Sequence, residues 1–74
     1  MSATQAQRDT ATAVYVQLKV LPRPHPDRYV ESDIDAAVAD MASIIAFPHE
    51  WEEEAVGWAI ETAEGTVYDA TVTE

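Results

Sequence analysis

Hydrophobic and polar residues alternate over the segment 11–21. Valine or leucine occupies every second position from Val14 to Val20, and polar or aromatic residues lie between them. A period of two with β-branched residues is typical of a strand with one buried face. We therefore predict a strand over Ala11–Leu21, preceded by a flexible polar leader over residues 1–10.

A helix is predicted next, after a connector in which Pro22, Pro24 and Pro26 block both helix and ladder hydrogen bonding. Apolar residues between Ile34 and Ile45 recur at i, i+4, i+7 and i+11, the spacing of one helix face. Ser32 can cap the start, with Asp35 three residues on closing the capping box. The helix is expected to end before Pro48, because the residue preceding a proline is disfavoured in the helical region.

The last third of the chain fits two structures. As a helix it has Pro48 at the first position, glutamates in the first turn and Gly65 as its stop. As a hairpin it alternates on both sides of a short loop over 63–65, which puts Ile60 opposite Tyr68. We favour the hairpin, because it places every large apolar residue on one face and because a mid-helix glycine costs about 1 kcal/mol.

The resulting fold class is α+β: a β-α-β-β domain over residues 11–74, with a three-stranded, largely antiparallel sheet and one helix on one face. The predicted core consists of every second residue of each alternating run, together with the apolar stripe of the helix. Its members are Val14, Val16, Leu18, Val20, Ile34, Val38, Met41, Ile45, Val56, Trp58, Ile60, Tyr68 and Val72.

Charge is distributed unevenly along the chain. There are 14 acids against 4 bases, a net charge of −10. All four bases precede Tyr29, and the 12 acids after that point face no base at all. Such a field repels nucleic acid and anionic membranes and attracts basic protein surfaces. No cysteine is present and no apolar run approaches the length of a membrane span, so we expect a cytoplasmic protein without disulfides.

Catalytic chemistry is not indicated. The chain has no cysteine nucleophile, and two glycines cannot form a phosphate-binding loop. His49 and Glu53 would share a face at i, i+4, but no third ligand has a fixed spacing, so the turn is interpreted as solvated acid rather than a metal site. We predict a non-enzyme with no cofactor and no metal.

The acids and one tryptophan are the candidate binding residues. Trp51 lies among four glutamates and outside the core pattern, either as a cap on the edge of the core or as an aromatic anchor in an acidic rim. The small-residue face of the hairpin offers a flat docking surface, or an edge for homodimerisation. The predicted partner-binding residues are Glu50, Trp51, Glu52, Glu53, Glu54, Glu61, Glu64, Asp69, Asp33 and Asp40.

In size, lack of cysteine, predicted element order and an acid field from Glu31 to Glu74, the chain resembles small acidic phage-encoded inhibitors of bacterial defence, notably anti-CRISPR proteins. The resemblance is one of class rather than of a motif. It implies an inhibitor whose carboxylates occupy the phosphate-binding surface of a CRISPR effector subunit. Two alternatives remain: a halophile-adapted accessory protein, whose acids only solvate it, and a dimerisation module that pairs strands.

Overall fold

The computed structural model describes residues 2–72, and over this range it contains helices and no strand. Three α-helices, α1 (Gln5–Lys19), α2 (Arg28–Ala46) and α3 (Glu53–Val72), pack pairwise into an elongated bundle of 39 × 17 × 17 Å. A single 3₁₀ turn, Pro48–Glu50, precedes α3. The predicted three-stranded sheet is therefore wrong, and the domain is all-α rather than α+β.

The first helix starts inside the segment assigned to a flexible leader. Thr4 caps it: its hydroxyl accepts a hydrogen bond from the Gln7 backbone N–H at 3.0 Å, and the Gln7 side chain accepts one from the Thr4 N–H at 3.0 Å. This capping box satisfies two backbone donors that would otherwise lack partners at a helix start. The signal lies in residues 4–7, before the alternating segment.

The alternation over 11–21 belongs to a helix with two apolar faces. Val14 and Leu18, four residues apart, are buried in the core. Val16 and Val20, also four apart, lie on the other side and are 54% and 75% exposed. Two i, i+4 pairs offset by two residues reproduce the period of a strand, which is why the predicted strand over Ala11–Leu21 is wrong.

The predicted central helix is present as α2, with a different start. Asp27, not Ser32, is the N-cap, and its carboxylate accepts from the backbone N–H groups of Tyr29 and Val30 at 2.8 and 3.3 Å. The chain therefore turns into helix directly after the proline connector. The helix ends at Ala46, two residues before Pro48, as predicted.

The predicted hairpin is also wrong, because α3 runs through both glycines. Neither Gly57 nor Gly65 has a positive φ. A Cβ added at either position would meet nothing within 4 Å. Each glycine costs the helix about 1 kcal/mol relative to alanine, so burial of the inner face, which includes Val56 and Ile60, must offset about 2 kcal/mol.

The core lacks the outward-facing half of each alternating run, and it contains five hydrophobic residues that were not predicted: Ala11, Leu21, Ala37, Ile44 and Ala63. The predicted core residues that are buried are Val14, Leu18, Ile34, Met41, Val56 and Ile60. Those that are only partly buried are Val38 and Ile45. Those that are exposed, contrary to the prediction, are Val16, Val20, Trp58, Tyr68 and Val72.

Candidate partner-binding surfaces

A groove between α2 and α3 brings together three of the predicted binding residues. Asp33 and Asp40 come from α2 and Asp69 from α3. The two aspartates of α2 are seven residues apart, which places them about 10 Å apart on the same side of the helix. The groove has a volume of about 270 Å³, and its other lining residues are small: Ala36, Ala37, Ala59, Thr62, Ala63, Gly65 and Thr66.

The two helices that form this groove, which we call the acidic groove, supply almost no positive charge. No lysine or arginine follows Arg28, the first residue of α2, so α3 carries acids alone. The aspartates are exposed, while the small side chains between them leave the groove open. A cationic side chain or helix could approach these carboxylates without displacing any bulky group.

The turn glutamates lie at the end of the bundle where α3 begins. Glu52, Glu53 and Glu54 line a shallow depression of about 410 Å³ together with Gln7. The Gln7 side-chain amide donates to the backbone carbonyl of Glu53 at 3.0 Å, which ties α1 to the start of α3. Carboxylates in the first turn also stabilise a helix by interacting with its dipole. These glutamates therefore contribute to the fold, and the antiparallel order of α2 and α3 places them at the opposite end from Asp33.

Trp51 packs at the edge of the core. Its side chain is partly buried against the core, and its indole Nε1 donates to Ser43 Oγ at 3.0 Å. The indole is thus fastened to α2 rather than projecting from an acidic rim. Glu50, one residue earlier in the 3₁₀ turn, is exposed.

The outer face of α3 carries the remaining predicted residues together with aromatic side chains that sequence reasoning assigned to the core. Glu61 and Glu64 are exposed there. Trp58 and Tyr68 lie on the same side of the helix and are 64% and 65% exposed. A signal for this face was present in the sequence: residues at i, i+4 such as Val56 and Ile60 already supply an inner stripe, so the other large apolar residues are surplus.

A third cluster was not predicted, and it fixes the proline connector to α2. The Arg23 guanidinium donates to Glu31 and to Asp35, each at 2.6 Å, and the Arg23–Pro24 bond is cis. The His25 backbone N–H donates to Glu31 Oε1 at 2.7 Å. This hydrogen bond, followed by the one from Arg23, lowers the pKa of Glu31 below its ordinary value.

This cluster pairs two of the acids with a base. Glu31 and Asp35, which counted toward the acid field in the sequence, are paired with Arg23 and so offer a partner less charge. Asp35 also does not form the predicted capping box, because it lies well inside α2. The acids of the acidic groove, the turn and α3 are exposed, as is the side chain of Asp35 at 64% despite its pairing with Arg23.

Among residues 2–72, no group of three or more histidine, aspartate or glutamate side chains is placed to hold a metal ion. His49 is exposed in the 3₁₀ turn. None of the helices in the described range is long and apolar enough to cross a membrane.

Comparison with protein-family models, with curated proteins and with solved structures finds no significant match. The chain's surfaces are therefore the basis for assigning it a function.

Proposed function

We propose that this chain is a non-catalytic acidic binding protein, an inhibitor that occupies a basic surface on which its target holds nucleic acid. The observation that carries the proposal is the acidic groove. Asp33, Asp40 and Asp69 converge there from two helices that have no base after Arg28. Because these carboxylates are carried on packed helices, their backbone needs no ordering when they meet lysine and arginine side chains, so less free energy is lost on binding.

The density of net charge along the bundle supports mimicry of single-stranded nucleic acid. Residues 2–72 carry thirteen acids and four bases, a net charge of −9, along a bundle 39 Å long. Glu74 lies outside the described residues. One net charge falls on about every 4 Å, against about 3.4 Å per charge along one nucleic-acid strand and about 1.7 Å along a duplex. The chain therefore matches a single strand better than a duplex, and a groove that binds single strands is the proposed target.

The resemblance to small acidic phage-encoded inhibitors now has a narrower basis. The predicted strand–helix–hairpin order does not hold, while the size, the lack of cysteine and the acid field do. A CRISPR effector subunit that holds guide RNA or displaced single-stranded DNA is the first target to test. The positively charged groove that holds the displaced strand in such an effector is a single-strand-binding surface.

The strand-pairing alternative loses its basis, because no strand lies within residues 2–72. Halophilic adaptation predicts a different dependence on salt. A domain whose acids serve only solvation should unfold when salt is removed. A charge mimic should stay folded at low salt and lose affinity for its target as salt rises.

The test is displacement of nucleic acid from identified targets. The tagged chain captures proteins from a bacterial lysate at low salt, and those released at about 1 M salt, where the Debye length is about 3 Å, are identified. Each purified candidate is then loaded with a fluorescent single-stranded oligonucleotide. We expect the chain to release the oligonucleotide and to release a duplex of equal length less well.

Two variants of equal net charge locate the contact. Asp33→Asn with Asp40→Asn removes two charges from the acidic groove, and Glu53→Gln with Glu54→Gln removes two from the end of the bundle. The groove pair should reduce displacement at least tenfold more than the end pair. Equal losses would contradict the groove as the contact, and no displacement of any oligonucleotide would contradict the proposed function itself.

A further inference from the structure

We propose that the outer face of α3 is a second helix-packing seam, built to receive a basic amphipathic helix of the partner. This inference rests on the proposed function and specifies the element of the partner that makes contact. The seam consists of Trp58, Glu61, Gly65, Tyr68 and Val72, all exposed. We call it the outer seam.

The spacing of the outer seam is that of a coiled-coil interface. Its positions follow one another at alternating intervals of three and four, which is the spacing of a seven-residue repeat, and three of the five residues are large and apolar. A repeat of seven keeps a stripe of side chains facing one neighbouring helix. From Trp58 to Val72 the stripe runs about 21 Å, which is two heptads. Within the described residues no other helix covers it, because the inner face of α3 already packs on α1 and α2.

The glycines provide a separate argument for close approach at this face. Gly57 and Gly65 are exposed, and nothing in the bundle requires a missing Cβ at either position. The fold would gain stability from alanine there, so the fold does not explain them. Gly65 lies at the centre of the outer seam and also lines the acidic groove. A missing side chain at this point lets a second backbone come close to α3.

Charge complementarity selects the occupant. Glu61 lies within the outer seam, and Glu64 and Asp69 lie beside it. A second copy of this chain packed on the seam would place these acids against one another, because α3 has no base to oppose them. Like charges facing each other across an interface cost several kcal/mol. A helix with leucines along one stripe and lysine or arginine beside it would pack its leucines against Trp58 and Tyr68 and pair its cations with the carboxylates.

The experiment uses two synthetic 15-residue peptides of identical composition. In the first, leucines at intervals of three and four form one stripe, and lysine and arginine occupy the remaining positions. In the second, the same residues are scrambled so that the leucines are spread around the helix. Affinity for the whole chain is measured by titration calorimetry. A blue shift of Trp58 emission, read in a Trp51→Phe background, reports contact at the outer seam.

We expect the striped peptide to bind at least tenfold more tightly than the scrambled one. Trp58→Ala and Gly65→Leu should each remove most of that difference, since buried tryptophans commonly dominate helix interfaces. The matched control is Val16→Ala, which truncates an exposed apolar residue on α1 and should keep the difference. Circular dichroism of each variant checks that the helix content is unchanged.

The remaining outcomes separate this inference from the proposed function. Equal, salt-sensitive binding of both peptides would overturn the outer seam and leave the acidic binding surface standing. No binding of either peptide would also overturn the outer seam, whereas the proposed function is decided separately by the displacement of oligonucleotides from the target. A stable dimer of the chain alone in sedimentation, abolished by Trp58→Ala, would overturn the basic helix as occupant in favour of a second copy.

Discussion

The helices α2 and α3 are nearly equal in length, 19 and 20 residues, but they distribute their residues differently. On α2 the large apolar side chains point mainly inward, as Ile34, Met41 and Ile44 do, and each of these is fully buried. On α3 large apolar side chains occupy both faces, with Val56 buried and Trp58 mostly exposed.

Their acids differ in the same way. Near its start α2 uses Asp27 as a cap, and Glu31 and Asp35 as partners of Arg23. Beyond its first turn, α3 has acids such as Glu61 and Glu64 on the exposed side. The comparison shows that the acids used inside the fold lie near the start of α2, whereas Asp33 and Asp40 of α2 and the acids of α3 are exposed. Under the proposed function these exposed acids are the ones that meet the partner.

The largest test of this contrast compares truncations on the two helices. Met41→Ala removes a fully buried side chain of α2 and should lower the free energy of unfolding by about 2–5 kcal/mol. In a domain of this size that lowers Tm by at least about 8 °C. Trp58→Ala should change the free energy of unfolding by less than about 0.5 kcal/mol, because the side chain is mostly exposed.

Urea and thermal unfolding followed by circular dichroism measure both effects. Met41→Leu, which nearly conserves volume, is the control and should cost less than about 1.5 kcal/mol. A Trp58→Ala loss as large as that of Met41→Ala would mean that Trp58 is part of the core, and the two-faced description of α3 would then be wrong.

The cap of α2 is the next largest effect. Asp27→Ala removes the acceptor of two backbone N–H groups and should cost about 1 kcal/mol. Asp27→Ser is the control, because serine caps nearly as well. If Asp27→Ala were no less stable than Asp27→Ser in urea unfolding, the start of α2 would depend on the Arg23 cluster instead.

How far the sequence could predict the fold follows from the same contrast. The helix over residues 34–45 was predictable because its apolar residues have a single helical period with polar residues between them. The strand and the hairpin were predicted wrongly because α1 and α3 carry two apolar stripes each. The apolar residues at every second position of α3 resemble a strand, although Val56 and Ile60 point into the core and Trp58 points to the exposed side of the helix. The capping box at Thr4 and Gln7 could have identified α1.

The candidate site was predictable in its charge and not in its geometry. The acids Asp33, Asp40 and Asp69 were named from charge alone, but their convergence depends on α2 packing against α3. The pairing of Glu31 and Asp35 with Arg23 likewise depends on where the proline connector folds. The exposure of Trp58 required knowing that α3 is a helix.

A smaller effect, of opposite sign, concerns the glycines of α3. Gly57→Ala should raise the free energy of unfolding by about 0.5–1 kcal/mol, because alanine favours the helix and the added Cβ meets nothing within 4 Å. Ala39→Gly, at an exposed position inside α2, is the reverse control and should lower it by a similar amount. A destabilising Gly57→Ala would mean that the glycine serves the packing of the bundle.

The smallest expected effect concerns Glu31 of α2 and tests whether its hydrogen bonds with His25 and Arg23 stabilise the fold. The pKa of Glu31 lies below its ordinary value of 4.5 because the charged form accepts hydrogen bonds from His25 and Arg23. The unfolded chain therefore binds this proton at a higher pH than the folded chain does. The stabilisation is complete above the unfolded pKa and is lost as pH falls through the lower folded pKa.

The difference in the free energy of unfolding between the native chain and Glu31→Gln should thus be constant near neutrality and shrink below about pH 4.5. Acidification also relieves repulsion among the other carboxylates, but that gain is common to both proteins and cancels in the difference. Glu64→Gln, which removes one carboxylate without touching His25 or Arg23, accounts for the loss of charge itself. If the Glu31→Gln difference stayed constant down to about pH 3, the Arg23 cluster would contribute nothing through ionisation, and the contrast between Glu31 and the exposed acids would be wrong.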